Sequence, residues 1–563
     1  MTCGNGQCDS FEQQLTCPDD CYPQALRATL ARTAEYDLWH ADATIKLLPT
    51  MRAPSASIDH VTLPMARNET RVFQLAFTAD GVATVPVRLE TRAADLQARW
   101  YEEALITVTS QPSRIVGPIP DALLPPAPVS LREDSTTALL FEVTTDKVIE
   151  AGLHPTALAV TVGDTIVSVD VFVYDLEVPD ELPLKTAFDS GHFTARYGAT
   201  NPPCSGRSVC DFHDVSDSSY APLVSAYYED YAFNRIAPYS PQHGREFTYD
   251  CGTKQFDFTE FDLALTHYID ELHMNAVMLG HYPTTPASDY PLCGKTITDP
   301  DYADVAIPYY QGLDAHLRDK GWLDKSYFMV DEPDADVLVY SNTLAGIVTA
   351  NTSLRIGPAA NRWFTGFDNA NLWILVDTVY DSMSLDDIDA LRDRGVEIWW
   401  YYISGPQFDI DSTSMDAMMP AWSAFHDGIR GLLGWAGLIF DTQCMGNGTA
   451  NPWADPRSPW GNGQTNFYYP PCGLDLFSTP TYEVVPSLRV KLIREGLQDH
   501  AYLTLLTELI EEATQAGVDV RFARAVLARV GEITFGAGRW AEEPATIVGL
   551  RREVAEAVEQ LQR

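Results

Sequence analysis

The chain of 563 residues carries 38 Lys and Arg against 78 Asp and Glu, a formal net charge of −40. That field repels phosphate backbones and excludes nucleic acid as a partner, and no apolar run approaches the roughly 20 residues of a membrane span. With 45% hydrophobic and 21% charged residues the composition is globular, and the length suits two or three cores.

In chain order, residues 1–22 come first, reading Cys3-Gly-Asn-Gly-Gln-Cys8, Glu12, then Cys17-Pro-Asp-Asp-Cys21. So short a segment cannot bury a core, so two disulfides are expected to hold it. It resembles the small cysteine-rich modules of secreted bacterial proteins. Asn5, Glu12, Asp19 and Asp20 offer the oxygen ligands that calcium takes, although a stapled spacer with solvated acids is the favoured reading; no other cofactor is expected. The ten cysteines, an even number, point to an oxidising compartment. The chain therefore reads as a secreted or cell-surface protein of bacterial extracellular type, its leader trimmed ahead of Met1.

Residues 23–180 alternate apolar and polar in short runs such as Arg71–Phe77, Val82–Leu89, Ile106–Thr109, Ala159–Val162 and Ile166–Val173. Period-two runs broken by Pro, Gly and Asp predict a β-sandwich. Residues 181–485 change to strands alternating with amphipathic helices. Helices are predicted at 221–234, 261–272, 309–320, 338–351 and 415–429, and strands at 275–280, 326–330, 372–376, 396–403 and 434–440. That order predicts a TIM-like (β/α)8 barrel with every strand's C-terminal end on one rim. Residues 486–563 form a helical extension. The fold class is thus multi-domain β plus α/β.

The sharpest chemical feature is Phe328-Met-Val-Asp331-Glu332-Pro333, an apolar strand running into two carboxyls. In a barrel this junction lies on the rim where active sites are built. Neighbours in a strand point to opposite faces, so sharing a pocket requires the backbone to leave β geometry there. Two carboxyls in one pocket favour one holding a proton, the state a general acid needs. Solvated loop acids are the bland alternative. Tyr380, Trp400, Tyr401, Tyr402 and Trp435 lie at later strand ends and offer flat apolar faces to a sugar. Asn361, His281 and Asp441 lie near other strand ends and complete the candidate substrate-binding set. The only tight His/Asp cluster, Asp211–Asp214, lacks the spaced partners of a metal site, and no metal is expected. Cys204 and Cys210 suit a rim staple, whereas the pairing among Cys251, Cys293, Cys444 and Cys472 stays open.

Near the C-terminus the chain reads Pro486-Ser-Leu-Arg489, then Arg494-Glu-Gly496-Leu-Gln-Asp499-His-Ala-Tyr502-Leu, downstream of Gly434-Trp435, Asn451-Pro-Trp453 and Tyr468-Tyr-Pro470. With Ala66-Arg67-Asn68-Glu69 ahead of a sandwich strand, this resembles glycoside hydrolase family 123, although His500 and Glu495 replace residues common there. The resemblance covers roughly residues 39–510. It implies release of β-linked N-acetylgalactosamine by retaining, substrate-assisted catalysis, with a GalNAc-containing glycan as the partner. Glu332 would be the acid/base and Asp331 the residue orienting the 2-acetamido group. Adjacent carboxyls rarely flank a bond from opposite sides, which agrees with substrate assistance. Arg489 and Asp499 are expected to form a structural ion pair. Two readings stay open beside this one: a glycosidase using Asp381 or Asp441 as nucleophile on another sugar, and a non-catalytic glycan-binding surface protein. Oligomerisation is left open by the sequence.

Overall fold

The structure is a computed structural model that describes residues 26–109, 115–188, 221–242, 245–282, 290–402, 408–435, 437, 453, 456–458, 461–464, 466–469 and 484–563. The N-terminal cysteine module with its calcium candidates, Cys204, Cys210, Cys444, Cys472, the Asp211–Asp214 cluster and Asp441 lie outside the described residues.

The N-terminal region holds β1 (Arg27–Arg32), β2 (Tyr36–Asp42), β3 (Val61–Arg67), β4 (Thr70–Ala79), β5 (Ala83–Val85), β6 (Val87–Thr91), β7 (Leu96–Val108), β8 (Gly117–Leu124), β9 (Val129–Leu131), β10 (Ser135–Thr145), β11 (Gly152–Val162) and β12 (Thr165–Glu177). One sheet has the order β1-β2-β4-β10-β7-β8 and a second the order β3-β12-β11-β6. Alternation places Val167, Val169, Val171 and Val173 of β12 inward, where they share one apolar cluster with Phe73, Leu75 and Phe77 of β4 and Phe141 of β10. β4 is buried along its whole length, because its other face is covered at Thr70 and Val72 by the C-terminal helix described below and at Gln74 and Ala76 by the segment 45–51.

Glu103 of β7 is 3% exposed, and burial pushes its carboxyl up to about 8 against the partial opposition of Lys46. A carboxyl whose folded value is raised contributes stability that is fully present below its ordinary value of 4.5 and is lost as pH climbs through about 8. Glu103→Gln is therefore expected to flatten the decline in the urea midpoint between pH 5 and pH 9. An unchanged slope would show that Glu103 is not buried as a neutral acid.

The second region contributes β13 (Lys185–Phe188), the hairpin β14 (Thr248–Asp250) and β15 (Gln255–Asp257), then β16 (Val277–Tyr282), β17 (Ser326–Asp331), β18 (Arg355–Ala360), β19 (Leu372–Val376), β20 (Glu397–Tyr402) and β21 (Gly431–Gly434). Apart from the hairpin these form a parallel sheet of order β13-β21-β20-β19-β18-β17-β16. Between its edges, Phe188 N–H donates to the Ala237 carbonyl at 2.9 Å, Tyr239 N–H to Phe188 at 3.0 Å, and Met278 N–H to Tyr239 at 2.7 Å. The sheet is thus a nearly closed, barrel-like ring. The Cys251–Cys293 disulfide ties the hairpin turn to the segment before the next long helix.

Around the ring lie α1 (Ala221–Phe233), α2 (Thr259–Leu265), α3 (Tyr302–Lys320), α4 (Ala335–Asn351), α5 (Asp377–Ser382), α6 (Leu385–Asp393) and α7 (Met419–His426). Three details depart from the sequence expectation. The 261–272 helix changes to π geometry over Thr266–Glu271. The last strand ends at Gly434 rather than beginning there. β18 has no sequence forecast, because Gly357 and Pro358 read as breakers; yet a Cβ at Gly357 would lie 1.6 Å from the Leu372 carbonyl, so only glycine allows this approach.

The C-terminal region contains α8 (Leu488–Gln515), α9 (Arg521–Ala528) and α10 (Pro544–Gln562). Ser487 caps α8 by accepting the Val490 N–H, and every residue from Leu488 to Leu503 is buried. Arg489 and Asp499 do not pair with one another. Arg489 makes a bidentate bond of 2.8 Å to Asp121 of β8, whereas Asp499 accepts from Arg551 at 2.5 Å and from the Trp422 indole at 3.1 Å. Ten residues apart on one helix, they face different neighbours.

Candidate active site

Strand parity decides which side chains reach the interior of the ring. Phe328 of β17 meets Tyr310 of α3 edge-on at 5.7 Å and so faces the helices. Tyr327, Met329 and Asp331 then face inward, and Tyr327 packs on Trp399 of β20 at 4.9 Å. In β20 the inward residues are accordingly Trp399 and Tyr401. Trp400 and Tyr402 point outward: Trp400 packs on Tyr380 of α5 at 5.0 Å, and the Tyr402 hydroxyl donates to the Ala537 carbonyl at 3.1 Å. Tyr380 is itself buried and bonded to Arg392. The structure does not bring Trp400, Tyr402 or Tyr380 to the acid pair: they pack toward the helices and the C-terminal region.

Asp331, the last residue of β17, pairs in register with Ala359 of β18. A regular strand would then turn Glu332 away. Instead Glu332 has φ 34°, in the left-handed region that a side-chain-bearing residue adopts only at a cost. This turn brings both carboxyls to one rim. Glu332 N–H donates to the Ala359 carbonyl at 2.9 Å. Its Oε1 accepts the Tyr401 hydroxyl at 2.5 Å, and its Oε2 accepts the Asn361 amide N–H at 2.7 Å. Two residues from the ends of β18 and β20 therefore fix one carboxyl.

Burial, together with the Glu332, Asp331 and Asp377 carboxyls, pushes the Tyr401 hydroxyl well above the ordinary phenol range. Tyr401 is thus a permanent proton donor to Oε1. Asp377 escaped the sequence reading. It follows the apolar strand Leu372–Val376 directly and is 1% exposed, so the signal that marked Asp331, a strand running into a carboxyl, was present there as well. Arg362 also went unremarked; it reaches toward the Pro333 carbonyl and Asp334 at 3.5 and 3.4 Å.

Of the other candidates, His281 lies next to last in β16, in register with Met329, and Trp435 follows β21 half-buried. Asp381, the alternative nucleophile, accepts the Ala537 N–H at 2.9 Å and so anchors the C-terminal region. Among the described residues no group of three or more His, Cys, Asp or Glu is arranged to hold a metal.

Comparison with known proteins bears on the fold and on the residues around the acid pair. Residues 248–506 match the family model described as glycoside hydrolase 123, catalytic domain. The fold is similar to that of a family 123 glycoside hydrolase from Clostridium perfringens that hydrolyses glycolipid glycans, at 13% identity and a TM-score of 0.62, covering 93% of this chain and 97% of that one. A ruminal family 26 endo-β-1,4-mannanase also matches, at 10% identity over 67% of this chain and 86% of that one, but its TM-score of 0.25 carries no argument. No curated protein matches the chain. The family's catalytic-domain model thus spans the acid pair, and the fold is shared with a family 123 glycoside hydrolase over nearly the whole length of both chains.

Proposed function

We propose that the protein releases β-linked N-acetylgalactosamine from glycans with retention, using the substrate's own 2-acetamido group as nucleophile. The observation that carries this reading is the turn at Glu332, which sets two adjacent carboxyls on one rim with Glu332 held by Tyr401 and Asn361. In the first step the acetamido oxygen attacks the anomeric carbon while the bond to the aglycone breaks and Glu332 gives its proton to the leaving oxygen. Asp331 accepts the acetamido N–H and aims its carbonyl. In the second step Glu332 takes a proton from water, whose oxygen opens the oxazolinium ring and restores the original anomer. Tyr401, whose hydroxyl is committed to Glu332, serves the acid rather than the acetamido group.

The same proposal divides the chain into the cysteine module (1–22), a β-sandwich (23–180), a (β/α)8 barrel (181–485) whose eighth position is the segment at 237–239, and the helical extension (486–563), and takes the protein to be secreted. The test is a panel of chromogenic β-GalNAc, β-GlcNAc, β-galactoside and α-GalNAc substrates, with a GalNAc-thiazoline as inhibitor. Turnover of β-GalNAc with micromolar-class thiazoline inhibition is the expected result. Turnover of a 2-hydroxy glycoside that ignores the thiazoline would assign an enzyme nucleophile instead.

A further inference from the structure

The two oxygens of Glu332 sit in unlike surroundings. Oε1 accepts from Tyr401, which is 3% exposed and keeps its proton; Oε2 accepts from Asn361, which is exposed at the mouth of the site. Tyr401 donates its one hydrogen bond to Oε1 from the buried side, whereas Oε2 faces the exposed side of the site where a glycosidic oxygen arrives, so the proton that Glu332 hands over in its acid role belongs on Oε2. That proton needs an acceptor before the glycosidic oxygen arrives, whereas the ionised Oε2 of the base role needs a donor. A primary amide has both on one plane, and a half-turn exchanges them.

Resting on the reading of Glu332 as acid/base, we infer that Asn361 is a positioning residue that follows Oε2 through the reaction. Its carbonyl oxygen holds the protonated acid, and as the proton passes to the glycosidic oxygen the amide turns so that its N–H₂ meets the charge forming on Oε2. Asn361 is then not a subsite residue gripping the ring, and its contribution is confined to proton transfer.

The experiment compares kcat/KM for wild type, Asn361→Leu and Glu332→Gln on two β-N-acetylgalactosaminides. One has a 2,4-dinitrophenyl aglycone, which leaves without a proton; the other has a sugar aglycone, which needs one. Asn361 is exposed, so the leucine variant is expected to fold with an unchanged melting temperature. Losing a hydrogen bond to a charged group corresponds to roughly a ten- to hundredfold loss on the sugar aglycone, with the dinitrophenyl rate within about twofold of wild type. Equal losses on both aglycones, or no loss on either, would overturn the inference. If Glu332→Gln also fails to distinguish the two, or if the wild type turns over neither, the acid/base reading itself falls. If only Asn361→Leu fails to distinguish them, that reading stands and the role of Asn361 does not.

Discussion

Glu332→Gln is expected to lower kcat/KM toward a β-N-acetylgalactosaminide with an unactivated aglycone by about 10²- to 10⁴-fold, the span of a general acid–base residue, with the fold intact. The amide matches the carboxyl in shape, its oxygen can still accept from Tyr401, and Asn361 can turn its own oxygen toward the new NH₂. The backbone turn at φ 34°, tied by Glu332 N–H to the Ala359 carbonyl, does not depend on the charge. What disappears is the transferable proton, so the deficit should follow the basicity of the leaving group. Steady-state kinetics on a series of aryl and sugar aglycones, with a melting curve as control, reads this directly. A variant with near wild-type rates on the sugar aglycone would remove Glu332 from the chemistry and leave Asp331 and Asp377 as the carboxyls to examine.

The part of the site that the sequence displays is the part encoded locally. An apolar strand ending in Asp331-Glu332 is visible as a pattern, and so is its place on a rim once strands and helices alternate. The aromatic run Trp399-Trp400-Tyr401-Tyr402 shows equally well that a strand is present, but not which alternate residues face inward. That parity is set by contacts across the ring and to the helices, here Tyr327 with Trp399 and Tyr380 with Trp400, and a slip of one residue exchanges the faces. The strand Arg355–Ala360 is hidden for a related reason. Its Gly357 answers to the close approach of the Leu372 carbonyl on a neighbouring strand, a tertiary demand that local propensity reads as a break. Asn361, which follows that strand, is nonetheless drawn from the sequence by its position near a strand end. Its partner, the Glu332 carboxyl, comes only from the fold.

The C-terminal motif that carried the family resemblance turns out to build a junction rather than the site, and this sets the second large expectation. Arg551 of α10 lies against Glu69 and Asp499 together, bonded to both, with its guanidinium over the Tyr502 ring at 4.6 Å. Tyr502 donates to Glu69 at 2.7 Å, and Arg71 of β4 meets Glu495 at 2.7 Å and Asp499 at 3.8 Å. Glu69, Asp499, Glu495 and Arg71 are all 7% exposed or less, so three carboxyls and two guanidiniums are packed where β4, α8 and α10 meet. Gly496 completes the fit, since a Cβ there would lie 2.3 Å from the Met418 carbonyl. Arg551→Ala leaves three buried carboxyls to Arg71 alone, and removing one partner of a buried ion pair costs about 3–5 kcal/mol. The expected result is a loss of that size in urea unfolding, with kcat of the remaining folded enzyme close to wild type because the junction lies apart from Glu332. A double-mutant cycle with Glu69→Gln should recover part of the loss, since the neutral amide no longer needs the guanidinium. A loss below about 1 kcal/mol, the range of exposed ion pairs, would mean that water reaches the cluster, and the docking of the β-rich region onto the barrel would then rest on its apolar contacts.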